Sequence, residues 1–333
     1  MPQWLLMCGL LLSAAHVAAG AEPQESPLKP LRIGLIGLDT SHVVSFTQAL
    51  ADPARTADLA SVQVTAAWPG GSPTFPLSRD RVAGFTDQVR SMGVEIVDSI
   101  PKLLERVDGV ILHSVDGRQH LEQALPVFQA GKRLFIDKPV AASLVDAIAI
   151  DELSRRYKTP WFSSSTKRYA PEMAAFAEDK IGTAMGCDAY GNSESVPHVG
   201  DMFWYGIHGV EIVYAVLGPG CAEVTAWRTP LAFHAAGRWK DGRVGTYRGI
   251  PAGGGKQAFG ATVIGASGIA TAGVGSDKTG LLREMARFFQ TGQPPLAPET
   301  TLELIAFLEA AEESQRKGGG PVSLQALMEK SRA

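Results

Sequence analysis

The chain has 333 residues, of which 45% are hydrophobic and 20% charged, a globular composition with room for two cores that excludes intrinsic disorder. Its formal charge is −3 and no block of Lys or Arg stands out, which excludes the basic footprint of a DNA- or RNA-binding protein.

The first element is an apolar run from Trp4 to about Ala15, followed by small residues with Ala19-Gly20-Ala21 as an A-x-A cleavage site. The run is shorter than the roughly 20 residues that span a bilayer. It predicts a signal peptide over 1–21 and a linker over 22–30, hence a soluble exported protein, periplasmic or secreted, with no membrane partner. Cys8 lies too early for a lipoprotein anchor. Cys187 and Cys221 then remain, and buried thiols are the expected state, with a disulfide left open and no cysteine metal site.

From Arg32 the chain alternates strand-like and helix-like stretches. Arg32 to Gly37 predicts a strand, Ser41 to about Ala51 a helix with Val43, Val44, Phe46 and Leu50 apolar, and Val62 to Trp68 a second strand. A breaker-rich loop, "PGGSPTFPLS", precedes a helix over Arg79 to Met92, a strand over Val94 to Val97 and a helix over Pro101 to Val107. "DGVILHSV" reads as a buried strand, "HLEQALPVFQAG" as a helix stopped by Gly131, "RLFIDKP" as a strand, Ser143 to Tyr157 as a helix and "TPWFSSS" as a sixth strand. This alternation predicts a Rossmann doubly wound parallel sheet over 31–165, with ligands outside the carboxyl ends of its strands. From Gly182 the texture changes to the β-rich "AMGCDAYGNSES", "CAEVTAWRT", "GTYRGI" and "QAFGATVIGASGIATAGVG", with a helical stretch "FWYGIHGVEIVYAVLG" and helices over Leu281 to Gln290 and Pro298 to Arg316. An α+β domain with an open, mostly antiparallel sheet over 166–333 is expected. Such an open face predicts a homo-oligomer.

The chemistry begins at "GLIGLDTSHV". Gly37 is the first glycine of a dinucleotide fingerprint, whose following helix aims its N-terminus at a pyrophosphate, but Asp39 and His42 stand at the second and third glycines. A carboxylate facing a phosphate at about 4 Å costs roughly 4 kcal/mol at an effective dielectric near 20. Asp39 is therefore expected to turn inward as helix N-cap, leaving Gly37, Thr40 and Ser41 to hold the cofactor. After the second strand no carboxylate is present for a ribose, and Ser72 and Arg79 are either 2′-phosphate ligands or part of a plain loop. NAD and NADP stay open. Lys138, at the carboxyl end of a buried strand and before Pro139, is expected to point into the crevice.

"GLIG", "SVDGRQHLEQAL", "AGKRLFIDKPVA", "KRYAPEM", "YGIHGVE" and the C-terminal "LLREMARFFQTGQPPLAPETTLELIAFLEAAEESQRKGGGPVSL" follow the order and spacing of the glucose-fructose oxidoreductase, inositol dehydrogenase and rhizopine-catabolism (Gfo/Idh/MocA) family, which the chain resembles over 31–325. The resemblance implies a Rossmann domain, a bound NAD or NADP, and hydride transfer at a hydroxyl carbon of a sugar or cyclitol. It makes Lys138 the Lys of the family's E-K-P motif, with Asp137 replacing Glu, and His208 the proton-exchanging histidine. His120 resembles the histidine after the fourth-strand turn and is expected, with Lys138 near the nicotinamide, to contact the cofactor, while Lys167 and Arg168 resemble a basic pair that donates to substrate. Where the family has an Asp four residues before its histidine, which would orient it or share its proton, this chain has Trp204; Asp201 is either the substitute in the substrate site, if the segment is not a regular helix, or a residue on a solvated face. His198, Asp201 and His208 also form a loose metal triad, which ranks below catalysis, so no metal is expected. The leading expectation is an exported NAD(P)-dependent oxidoreductase with tightly held cofactor and a small-molecule substrate. The alternative, motivated by the altered glycine fingerprint and Trp204, is a non-catalytic carbohydrate- or partner-binding protein on a retired dehydrogenase scaffold, which an Asp39 carboxylate pointing into the crevice would favour.

Overall fold

The computed structural model describes residues 30–194, 196, 199–200, 202–251 and 259–333. The expected signal peptide, most of the linker, His198 and Asp201 lie outside the described residues.

Six strands, β1 (Leu31–Ile36), β2 (Val62–Trp68), β3 (Glu95–Ile96), β4 (Gly109–Leu112), β5 (Arg133–Ile136) and β6 (Trp161–Phe162), pair in parallel in the order β3-β2-β1-β4-β5-β6. The strands read as continuous apolar runs because helices cover both faces, and all four residues of β4 are buried. Strand order reverses between β1 and β4, which places the ligand crevice at their carboxyl ends. Two expected elements differ. The helix over Arg79 to Met92 is two helices, Pro76–Arg79 and Val82–Ser91. "TPWFSSS" keeps only two strand residues, because the Ser164 and Ser165 hydroxyls leave the ladder for Glu211 and His208.

Helix Thr279–Thr291 lies late in the sequence yet packs on the first sheet. The ring of Phe289 crosses Gly109, where an added Cβ would lie 2.6 Å from the ring. Gln290 donates to the Ser61 carbonyl at 2.7 Å, and Arg133 donates to the Phe289 carbonyl. Burying Phe288 and Phe289 here contributes roughly 1.5–3 kcal/mol each.

A second sheet joins β7 (Ala184–Ser193), β8 (Cys221–Thr229), β9 (Ala232–Trp239), β10 (Val244–Pro251), β11 (Phe259–Gly265), β12 (Ile269–Val274) and β13 (Val322–Ser323) in the order β12-β11-β7-β10-β9-β8-β13. Every pairing is antiparallel except β7 with β10. Helices Ile207–Leu217 and Pro298–Arg316 pack on this sheet. Along β10, Gly245, Tyr247 and Gly249 are buried while Val244, Arg248 and Ile250 alternate with them and are exposed. Strand β9 and a last helix, Leu324–Arg332, were not expected from the sequence.

Helix Pro298–Arg316 ties the two sheets. Its Glu309 accepts the Leu144 N–H at 2.8 Å on the Rossmann side. Its Glu303 accepts the Gly220 and Cys221 N–H groups at 2.7 and 2.8 Å, and Glu312 accepts the Met202 N–H. Cys187 and Cys221 are buried free thiols, as expected, and burial pushes both up to about 12. No helix among the described residues is long and apolar enough to cross a membrane.

Candidate active site

A cleft of about 370 Å³ opens where the crevice of the first sheet meets the second, and Thr40, Ser41, His42, Lys138, Trp204, Tyr205 and His208 are among its lining residues. The first turn of helix Ser41–Ala51 opens into it. Thr40 is the N-cap and makes no side-chain capping bond, so its hydroxyl and the N–H groups of Ser41 and His42 stay available to a ligand, while the Val43 N–H donates to the Thr40 carbonyl. Gly37 is shaped by the turn itself: its φ is +82° and an added Cβ would lie 2.5 Å from the Ser114 backbone nitrogen. It allows β1 and the segment after β4 to touch, beneath the cleft rather than on its wall.

Asp39 is not the helix cap. It does turn inward, but further than expected: the residue is fully buried, accepting from Ser78 Oγ at 2.5 Å and from the Val115 N–H at 2.9 Å. The carboxylate thus ties the fingerprint turn to the segments after β2 and β4. Burial raises its pKa, opposed by those two hydrogen bonds. His42 leaves the third fingerprint position sideways, stacking on Phe46 (centroids 5.2 Å, planes 8° apart) and reaching Asp137 at 2.5 Å.

A dinucleotide fits these residues. The start of the helix has no side-chain cap, the Asp39 carboxylate is withdrawn, and Gly70 and Gly71 turn the loop after β2 at φ +60° and +106°, with Gly70 packed close to Gly37. The two candidate 2′-phosphate ligands are otherwise engaged: Ser72 is buried and donates to Asp116 at 2.7 Å, and Arg79 pairs with Asp80.

Lys138 follows β5 and lines the cleft, its ammonium 6.0 Å from the Trp204 ring and 5.9 Å from the Tyr205 ring. Burial lowers its pKa, with Asp137 opposing. His208 stands at the start of helix Ile207–Leu217, just after a π-helical turn over Met202–Gly206 that carries Trp204 and Tyr205. His208 Nδ1 lies 2.6 Å from Ser165 Oγ, which leaves Nε2 as the free ring nitrogen. Burial holds its pKa well below the usual histidine value, helped by the nearby charges of Lys138 and Lys167. Ser165 therefore fills the orienting role that the sequence reading sought in Asp201.

Three expected contacts are corrected. His120 is buried away from the cleft, Nδ1 at 3.0 Å from the Val140 carbonyl and Nε2 at 2.7 Å from that of Ser114, so it clamps two loops instead of touching a cofactor. Lys167 does line the cleft, but its ammonium donates to the carbonyls of Val274 and Gly275 and to Ser276 Oγ, leaving no proton for a substrate. Burial brings its pKa down to about 8. Arg168 turns from the cleft and pairs with Glu211, a buried carboxylate that Ser164 also serves. Lys167 thus braces the wall of the cleft, and Arg168 neutralises a buried carboxylate behind it.

Sequence reasoning missed His113, Arg81, Tyr205 and Phe259 in the lining. His113 had a signal, a polar residue at the carboxyl end of an apolar strand. Its Nδ1 meets the Asp137 oxygen that His42 also meets, at 3.0 Å. Arg81 sits between two helices that the sequence reads as one.

Residues 31–163 match the family model GFO_IDH_MocA, described as an oxidoreductase family with an NAD-binding Rossmann fold. That match spans the first domain and includes the "GLIG" and "GKRLFIDKP" stretches. Among solved structures, GenD2 from gentamicin A biosynthesis in complex with NAD is similar at 18% identity and TM-score 0.72, covering 91% of this chain and 99% of its own. Scyllo-inositol dehydrogenase from Lactobacillus casei, with NAD(H) and scyllo-inositol, is similar at 15% identity and TM-score 0.72 over 89% of this chain and 100% of its own. Myo-inositol 2-dehydrogenase from Lactobacillus plantarum gives 15% and 0.72, over 89% and 99%. At these identities the likeness is one of fold, and it extends through both domains. No curated protein matches the chain by sequence.

Proposed function

We propose that the chain is an exported NAD(P)-dependent oxidoreductase that moves hydride at a hydroxyl carbon of a sugar or cyclitol. The observation that carries this is the convergence of Lys138 and His208 on one cleft at the switch point of an NAD-binding Rossmann sheet. Thr40, Ser41 and the first-turn N–H groups of their helix would hold the dinucleotide. When bound, the nicotinamide supplies the hydride acceptor. Neutral His208, with Nδ1–H donating to Ser165 Oγ, takes the hydroxyl proton at Nε2. The Lys138 ammonium donates to the same oxygen and stabilises the charge that grows there. Trp204, Tyr205 and Phe259 give the cleft flat apolar walls that suit the C–H faces of a polyol ring. Two of the similar structures are cyclitol dehydrogenases by name.

Export rests on the N-terminal sequence. Free nicotinamide cofactor is scarce outside the cytoplasm, so the reading includes one tightly held cofactor regenerated in place. The exposed Val244, Ile250 and Ile264 on the second sheet support a homo-oligomer through that face. The inward turn of the Asp39 carboxylate speaks against the retired-scaffold alternative, which keeps Trp204 in its favour. Denaturing the purified chain and identifying the released nucleotide by mass tests the reading. A nicotinamide dinucleotide, with sugar or cyclitol turnover lost in Lys138→Ala and His208→Ala, is expected. A chain that releases none and binds none added back overturns it.

A further inference from the structure

His42, His113 and Asp137 come from three separate elements and meet at the carboxyl ends of β1, β4 and β5, on the wall of the cleft. One nitrogen of each imidazole and one carboxylate oxygen lie within 4.8 Å of one another. Both Nδ1 atoms converge on the same oxygen, Asp137 Oδ2, at 2.5 and 3.0 Å. An ion bound about 2.1 Å from each of three such ligands spaces them roughly 3.0–3.4 Å apart, so small side-chain shifts would admit one.

The surroundings hold these three atoms in place. Phe46, itself buried, lies flat against the His42 ring and edge-on to the His113 ring, with centroids 5.2 and 5.3 Å away. A single side chain thereby fixes both imidazoles. The other Asp137 oxygen accepts the Lys138 backbone N–H at 2.8 Å, which orients the carboxylate. His113 is fully buried, so its ring is enclosed by the protein. The result is a preset group of one oxygen and two nitrogens, opening on one side to the cleft.

We infer that His42, His113 and Asp137 form a binding site for one divalent transition-metal ion such as Zn²⁺ or Fe²⁺. Two imidazoles and a carboxylate suit these ions rather than Ca²⁺ or Mg²⁺, which prefer all-oxygen shells. Three protein ligands leave positions open on the cleft side, where a water, hydroxyl or carboxylate oxygen of a ligand would complete the shell. The site accounts for a histidine at the third fingerprint position, where its ring reaches away from the helix. It is independent of the hydride-transfer reading and holds whether or not a dinucleotide binds.

The test is metal content, measured on the full chain free of any affinity tag. After loading with Zn²⁺ and gel filtration, mass spectrometry of the metal is expected to give one equivalent per chain, and Co²⁺ in its place a visible spectrum of mixed nitrogen and oxygen ligation. His42→Ala keeps a good helix former at a half-buried position, and Asp137→Asn keeps the side-chain shape. Each is expected to weaken Zn²⁺ at least tenfold, with circular dichroism checking the fold. A wild type that retains no Zn²⁺ or Co²⁺ at micromolar concentration overturns the site, as does equal retention by both folded variants. Neither readout depends on turnover or on nucleotide.

Discussion

Replacing Asp39 by glycine restores the second glycine of the fingerprint, and judged by the motif it should tighten a dinucleotide. The structure gives the opposite expectation. Asp39 is fully buried and accepts one hydrogen bond from Ser78 Oγ and one from the Val115 N–H. Hydrogen bonds to a charged acceptor contribute about 1.5–3 kcal/mol each, so removing the carboxylate costs about 3–6 kcal/mol and strands two buried donors. Part returns because a buried charge is no longer held from water, which leaves a net loss of about 3 kcal/mol. With an unfolding entropy near 2.1 cal/mol/K per residue over roughly 300 residues, this lowers Tm by about 5 °C. Scanning calorimetry of Asp39→Gly reads the shift, and titration calorimetry with NAD(H) reads affinity, expected to be no tighter because the turn between β1 and the β4 loop loosens. An Asp39→Gly chain that melts with the wild type and binds the dinucleotide more tightly would refute the reasoning.

Ser165→Ala removes the partner of His208 Nδ1 and should lower kcat about tenfold with little change in KM, a fraction of the 10²–10⁴ that a positioned base supplies; unchanged kcat would show that Ser165 does not orient the ring. Gly109→Ala places a Cβ 2.6 Å from Phe289 and should destabilise by about 1–3 kcal/mol, read as a lower urea midpoint at constant slope. Equal midpoints would mean that helix Thr279–Thr291 gives way freely. Stability should fall as pH drops below about 6.5, because His208 and His113 stay neutral in the fold while the unfolded chain takes their protons. The slope is up to about 1.4 kcal/mol per pH unit for each histidine, and His208→Gln should flatten it between pH 5 and 6.5. A slope equal to that of the wild type contradicts a neutral buried His208.

The Rossmann sheet was legible because its strands are short apolar runs between capped helices, as where Ser143 caps Leu144–Tyr157. Strand β9 was not, since "AFHAAGRW" is rich in small residues that carry little strand preference and gain their place only by pairing with β8 and β10. The places of Lys138 and His208 on the cleft were legible from a strand end and a motif, whereas their roles are the proposal. The fates of Lys167 and Arg168 were not, because a basic residue looks the same in sequence whether its protons face a ligand or nearby carbonyls. His42 was noticed as a missing glycine, and its meeting with His113 and Asp137 depends on three strand ends that only the fold brings together.

Helix Pro298–Arg316 has one more consequence. Glu309 and Glu312 stand less than a turn apart, one holding the start of a Rossmann helix and the other the π-helical turn that carries Trp204 and Tyr205. The jaws of the cleft are thus bolted to a common rod, so opening them as rigid bodies would break backbone contacts on both sides. Ligand traffic is then left to side chains and short loops at the rim, and the width of the cleft acts as a fixed gauge for what enters.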